Sequence, residues 1–193
     1  MTDIFALEPH TQILQTSYIL SYPHLLSYFG KDVFDAVDIV RGTHMVYGWM
    51  PTVLEFYPGT NLGFDRAAEL LTQARRSGTL SDRDLTALQG LINNSLVGVS
   101  KLLHFVAPTH FAMWDSKIYT FVFEEQPHNY RVNKVEKYCD YLKKLTELQS
   151  HSRFARFHDS VNAKVGYEVS KLHALELVMF LNAPREETAG AAL

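Results

Sequence analysis

VGVSKLLHFVAPTHFAMWDSKIYTFVF, residues 97–123, contains two apolar helical segments on either side of a proline, and the whole chain can be read outward from it. Upstream, Leu91 and Ile92 end one apolar segment and the Asn-Asn-Ser run at 93–95 breaks it. V-G-V-S then opens a second helix whose first turn holds Lys101. Pro108 ends that helix near His104 or Val106, because a proline ring clashes with the preceding turn and has no N–H to give it. THFAMW reads as a short irregular crossing. Asp115 is placed to cap SKIYTFVF, with Ile118, Phe121 and Val122 on its apolar face. The pattern is helix, short glycine-containing hairpin, helix. The unbonded N–H groups that open the second helix are suited to an anion such as phosphate.

The flanking sequence is helical in pattern as well. TQILQTSYILS has helical spacing, and Pro23 suits the first turn of a separate helix, PHLLSYF, closed by Gly30. KDVFDAVDIVRGTHMVYGWM places Val33, Phe34, Val37, Ile39 and Val40 on one apolar stripe, with Gly42 and Gly48 as weak points. PGTN reads as a turn, Phe64–Arg76 as an amphipathic helix ending at Gly78, and Ser81 with Asp84 as the cap of DRDLTALQGLINNS. NKVEKYCDYLKKLTELQ is the clearest amphipathic helix. RFARFHDSVNAKV follows, and SKLHALELVMFL, capped by Ser170, closes the body as a largely buried helix. No segment alternates with period two between turn signals. The expected fold is therefore all-α, a compact multi-helix domain of about eight to ten short helices over 1–183, with 184–193 a flexible tail.

Composition agrees with a chain that folds unaided: of 193 residues, 47% are hydrophobic, 12% aromatic and 20% charged. A single cysteine, Cys139, excludes an internal disulfide and any multi-cysteine metal or iron–sulfur site, which fits a reducing cytoplasm. No basic leader precedes an apolar core at the N-terminus, and no apolar run is long enough to span a membrane, so neither export nor a membrane anchor is expected. The net charge of −3 is unevenly spread. Residues 129–173 hold nine of the 18 Lys+Arg and five of the 21 Asp+Glu, +4 net, against −7 elsewhere. Such a segment can meet a polyanion while the whole chain stays acidic.

L-V-G-V-S-K-L-L at 96–103 and M-W-D-S-K-I at 113–118 together resemble the helix-hairpin-helix DNA glycosylase superfamily. Members of that family carry a hairpin of the form L-P-G-V-G-x-K-T-A and, one helix later, a V-D-T-H segment. The hairpin glycines fall on Val97 and Val99 here, with Gly98 between them, and fourteen positions separate Lys101 from Asp115. The resemblance covers about residues 80–125. It implies a DNA N-glycosylase, with or without lyase activity, that excises a damaged or mismatched base without a cofactor. Lys101 would be the amine that attacks the sugar C1′ and Asp115 the carboxylate that stabilises the cationic sugar.

From the residues themselves, a carboxylate beneath a developing cation and a desolvated, partly neutral lysine suit that chemistry. An extruded base needs aromatic surroundings, for which Tyr47, Trp49, Phe111 and Trp114 are candidates. Gly98, Val99, Ser100, Lys143 and Lys144 are the candidate DNA contacts. Other readings stay open: a non-enzymatic all-α module that binds nucleic acid or protein, with Asp115 simply a helix cap, or a small-molecule pocket around Tyr47, Trp49 and Trp114. No metal site is expected, since His173 and Glu176 form only a single i, i+3 pair. No phosphate-binding loop or serine-nucleophile motif occurs.

Overall fold

A computed structural model describes residues 2–50, 52–59 and 62–184. Among them the chain forms α1 (Ile4–Leu7), a 3-10 turn (Glu8–His10), α2 (Ser17–Tyr28), α3 (Ala36–Trp49), α4 (Phe64–Ser77), α5 (Asp82–Leu91) and α6 (Leu96–Val106). There follow α7 (Ser116–Phe123), α8 (Asn129–Val132), α9 (Val135–Gln149), α10 (Phe154–Val165) and α11 (Lys171–Asn182). The all-helical expectation holds, with one or more helices beyond the number anticipated. The only extended pairing among the described residues is an isolated antiparallel bridge between Phe56 and Ile92. The expected tail lies almost wholly outside the described residues.

Several helix ends follow from local chemistry. Asp115 caps α7 by accepting the Ile118 N–H, Ser170 caps α11 by accepting that of His173, and Ser81 caps α5 by accepting that of Asp84. Gly78 closes α4 at φ 69°, a left-handed conformation natural to glycine.

The first thirty residues depart from the expected pair of helices. Pro23 lies inside one continuous helix, α2, rather than at the start of a second. The Ile19 carbonyl, which a helical N–H at position 23 would have bonded, accepts the Tyr167 hydroxyl at 2.7 Å instead. A distant side chain thus satisfies the group that proline orphans. The stripe expected from Val33 is also shorter. Asp35 and Asp38 form a capping box that starts α3 at Ala36, leaving Val33 and Val37 exposed. Gly42 is the point on α3 where the Phe29 ring comes too close for a side chain, since a Cβ there would lie 2.7 Å from it.

Helix α6 is the axis of the molecule. It packs against α2, α3, α4 and α5, and its buried residues lie on every side of it, as expected of a helix enclosed by others. It begins at Leu96, earlier than the sequence suggests, so Gly98 and Val99 are inside the helix and Lys101 falls in its second turn. The hairpin before it is Asn93-Asn94-Ser95. Both asparagines have left-handed backbones, φ 52° and 49°, a conformation that asparagine tolerates better than most residues. The turn that the resemblance placed at Val97–Val99 is therefore made a few residues upstream by different residue types.

Candidate functional site

From Gly98 to Val106 every residue of α6 is buried except Lys101. Lys101 and Val97, one turn apart, face an open cleft of about 320 Å³ that Tyr47, Asn93, Ser95, Gly98, Asn129 and Asn133 also line. Lys101 Nζ lies 4.0 Å from Asp115 Oδ2, and their side chains are only 16% and 17% exposed. The other Asp115 oxygen accepts the Ile118 N–H at 2.9 Å. The aspartate is a helix cap and an ion-pair partner at once, one oxygen for each. Burial pushes the Lys101 amine below its ordinary pKa, while Asp115 and, less strongly, Glu176 pull it back up. Desolvation favours the neutral amine that a lysine nucleophile needs, while the carboxylate beside it favours the ammonium.

Asp115 is positioned by the irregular stretch before it. Residues 111–114 are buried but lie in no helix, so their backbone groups need partners from elsewhere. Side chains of three helices supply them. From α6, His104 Nδ1 donates to the Phe111 carbonyl at 2.9 Å, and Ser100 Oγ accepts the Trp114 N–H at 3.1 Å. From α9, the Tyr138 hydroxyl donates to the Ala112 carbonyl at 2.9 Å and the Tyr141 hydroxyl to the Met113 carbonyl at 3.2 Å. From α11, the Glu176 carboxylate accepts the Met113 N–H. The segment is held as a strand would be, with side chains in place of a neighbouring strand.

The anticipated site residues divide sharply. Lys101, Asp115, Gly98 and Tyr47 come together. Gly98 is where the Tyr47 phenol crosses α6: a Cβ there would sit 2.0 Å from the hydroxyl. That hydroxyl is buried with no partner at hydrogen-bond geometry among the described residues, and burial pushes its pKa up to about 12, against the opposing pull of the nearby Ser95 side chain. Val99 and Ser100 are fully buried, and Ser100 is occupied with Trp114, so neither presents a surface to DNA. Ser100 instead fastens the Trp114 backbone to α6.

Phe111 and Trp114 are likewise core side chains, and neither lines the cleft. The Trp114 indole N–H donates to the Val132 carbonyl at 2.7 Å, and its ring packs among Tyr119, Phe123, Tyr138 and Tyr141. Trp49 is half-buried between Tyr18 and Phe105 and also does not line the cleft. Of the four proposed base-pocket aromatics, only Tyr47 does. Lys143 and Lys144 are on α9, Lys143 beside Asp140 at 3.4 Å and well exposed. The basic 129–173 stretch is partly neutralised by acids outside it: Arg131 and Lys137 pair with Glu125, Arg153 with Asp3, and Lys164 with Glu8.

His173 and Glu176 are joined by His104, a residue far away in sequence. His173 Nδ1 lies 2.5 Å and His104 Nδ1 3.7 Å from Glu176 Oε1, and the donor atoms of all three lie within 4.8 Å of one another. The spacing alone would accommodate a metal ion. However, His104 Nδ1 faces the Phe111 carbonyl, an arrangement that requires a proton on that nitrogen, and Nε2 is 2.7 Å from the Tyr22 hydroxyl. Both nitrogens of His104 are thus engaged, and burial pushes its pKa down to about 4, in favour of the neutral ring. Burial also pushes Glu176 upward, to about 7.

Sequence reasoning did not find the roles of Ser100, His104, Asn133 and Glu176. Asn133 accepts the Leu96 N–H at 2.9 Å and so caps α6 from 37 residues away. The i, i+3 spacing of His173 and Glu176 was a visible signal, read only for metal. Compared with protein-family models, curated proteins and solved structures, the chain matches none.

Proposed function

We propose that this protein binds DNA and acts on a glycosidic bond, with Lys101 as the amine and Asp115 as the carboxylate, in the manner of a helix-hairpin-helix DNA glycosylase. One observation carries the reading: the single incompletely buried residue between Gly98 and Val106 of α6 is a lysine, and it lies 4.0 Å from the carboxylate that caps the next helix. A lysine held there costs desolvation that a purely structural position would avoid. In the proposed chemistry, Asp115 offers negative charge to a sugar becoming cationic, an interaction that strengthens towards the transition state. Lys101, its ammonium proton lost to solvent, adds to C1′ as the N-glycosidic bond breaks and the base leaves with a proton from solvent; the aminal so formed then passes its second nitrogen proton to O4′ as the C1′–O4′ bond opens, giving the imine of the lyase branch.

The experiment is excision on a panel of damaged and mismatched duplexes, with borohydride trapping. Wild type should release a base, and D115N should lose about two to three orders of magnitude in rate while binding DNA as well or better. Asparagine still caps α7, so a stability loss beyond about 1 kcal/mol would report the Lys101 ammonium left without its carboxylate. If Lys101 is the nucleophile, borohydride traps a protein–DNA adduct in wild type and none in K101A. No excision by wild type on any duplex would leave a non-enzymatic module, with Asp115 as a cap and ion-pair partner only.

A further inference from the structure

We infer that α8 carries the stacking surface of this site: the exposed rings of Tyr130 and His128 receive an unpaired nucleobase of a DNA strand at the rim of the cleft that Lys101 faces. The inference deepens the proposed function and rests on that reading. A base taken out of its stack needs an aromatic face, and the core has taken up Phe111 and Trp114. Trp49 does not line the cleft, and Tyr47, which does, is 2% exposed and has no face to offer. The rings must come from another element.

Helix α8 is fastened to both sides of the Lys101–Asp115 pair. Asn133, which follows it, accepts the Leu96 N–H that opens α6 at 2.9 Å. The Val132 carbonyl accepts the indole N–H of Trp114, the residue before Asp115, at 2.7 Å. Asn129 and Asn133 both line the cleft and are joined across one turn, the Asn133 amide donating to the Asn129 side chain at 2.7 Å. One face of α8 is thus on the cleft, with His128 and Tyr130 the chain neighbours of Asn129 and both exposed. Tyr130 is 61% exposed, more than Tyr18, Tyr57 or Phe180, and those three are engaged elsewhere, with Trp49, Glu55 and Lys117.

The Tyr130 ring is ordered by polar neighbours. It lies 5.8 Å from the His128 ring and within 8° of parallel to it, its hydroxyl accepts from Arg131 Nε at 2.9 Å, and the Arg131 guanidinium is 5.5 Å from the ring centre. A surface arranged in advance lowers the cost of stacking on it, and the guanidinium adds a cation–π contribution. The cations at hand for the strand's phosphates are Lys101 in the cleft and Arg131, Lys134 and Lys137 around α8, of which Arg131 and Lys137 share one carboxylate, Glu125. With phosphate attraction so tempered, stacking should carry a visible share of the affinity.

The test is fluorescence anisotropy at low salt with two labelled single strands of equal length, oligo(dT) and a strand of tetrahydrofuran abasic units, which offers the same phosphates without bases. Wild type should prefer oligo(dT). Y130A, a change at an exposed position, should fold normally and weaken oligo(dT) binding about tenfold, the loss of one base–aromatic stack, with less than about a twofold effect on the abasic strand. Y130F keeps the ring and should bind oligo(dT) within about twofold of wild type. Equal wild-type binding of the two strands, no binding at micromolar protein, or a Y130A loss that is absent or the same on both strands would overturn the inference. Excision is scored separately on duplexes. Tyr130-dependent binding without excision fails the proposed function alone, and excision by a protein whose Y130A variant keeps its preference for oligo(dT) fails this inference alone.

Discussion

Ser100 and Trp114 are joined by a hydrogen bond, Trp114 N–H to Ser100 Oγ at 3.1 Å, and each is the sequence neighbour of one member of the Lys101–Asp115 pair. The serine hydroxyl proton goes to the Val97 carbonyl at 2.8 Å, which orients the oxygen lone pairs towards Trp114. Helix α6 and the segment entering α7 are thus pinned one residue away from the site. S100A should leave the Trp114 N–H buried and unpaired, lowering stability by about 1–3 kcal/mol and loosening the ion pair. Urea unfolding checks the first effect and Lys101 methylation the second; an unchanged midpoint would mean that the bond carries no load.

Gly98 and Tyr47 make the complementary prediction at the cleft. In G98A the new methyl would meet the Tyr47 hydroxyl at 2.0 Å and the ring carbons at 2.7 and 2.9 Å, so the ring must move. Overpacking of this kind costs about 1–3 kcal/mol. In a double-mutant cycle, Y47L should recover much of that loss in the G98A background, whereas simple additivity would show that the two residues do not collide.

Acid sensitivity follows from His104. Its folded pKa, about 4, lies below the ordinary 6.5, so below pH 6.5 the unfolded chain takes up a proton that the native protein refuses. Its contribution is therefore neutral above 6.5 and turns against folding as pH falls towards 4, with a slope of up to about 1.4 kcal/mol per pH unit. His173 acts in the same direction, its folded pKa being about 3. Glu176, raised to about 7, opposes them, because the native state binds its proton first. The two histidines together outweigh it between about 4.5 and 6.5. Chemical denaturation across that range should show stability falling with acid, and H104Q should flatten the slope whatever its absolute stability. An equal slope in H104Q would show that His104 titrates freely.

DNA binding has its own signature. If about three to five phosphates are neutralised, affinity should fall with salt at a log–log slope of a few units, independent of sequence. Charge reversal at Lys143 and Lys144 should reduce that slope if these α9 lysines touch phosphate. Anisotropy titrations at two salt concentrations measure both effects, and salt-independent binding would exclude the polyanion.

What could be read in the sequence was what local chemistry decides. Helical periodicity marked nearly every helix, Asp115, Ser170 and Ser81 declared themselves as caps, and Gly78 as a stop, because those signals act over three or four residues. Lys101 and Asp115 could be singled out by residue type and spacing. Their proximity could not, since it depends on how the stretch at 111–114 crosses the core, and its partners come from Ser100, Tyr138, Tyr141 and Glu176. Pro23 failed as a boundary for the same reason: Tyr167, 148 residues beyond Ile19, satisfies the carbonyl it orphans. Phe111 and Trp114, suited by type to a base pocket, were drawn into the core by burial of their own apolar area. Local propensity and capping determine where helices begin and end. Which side chains face one another across a cleft is decided only when the whole chain packs, because each buried polar group must then find its partner wherever the fold provides one.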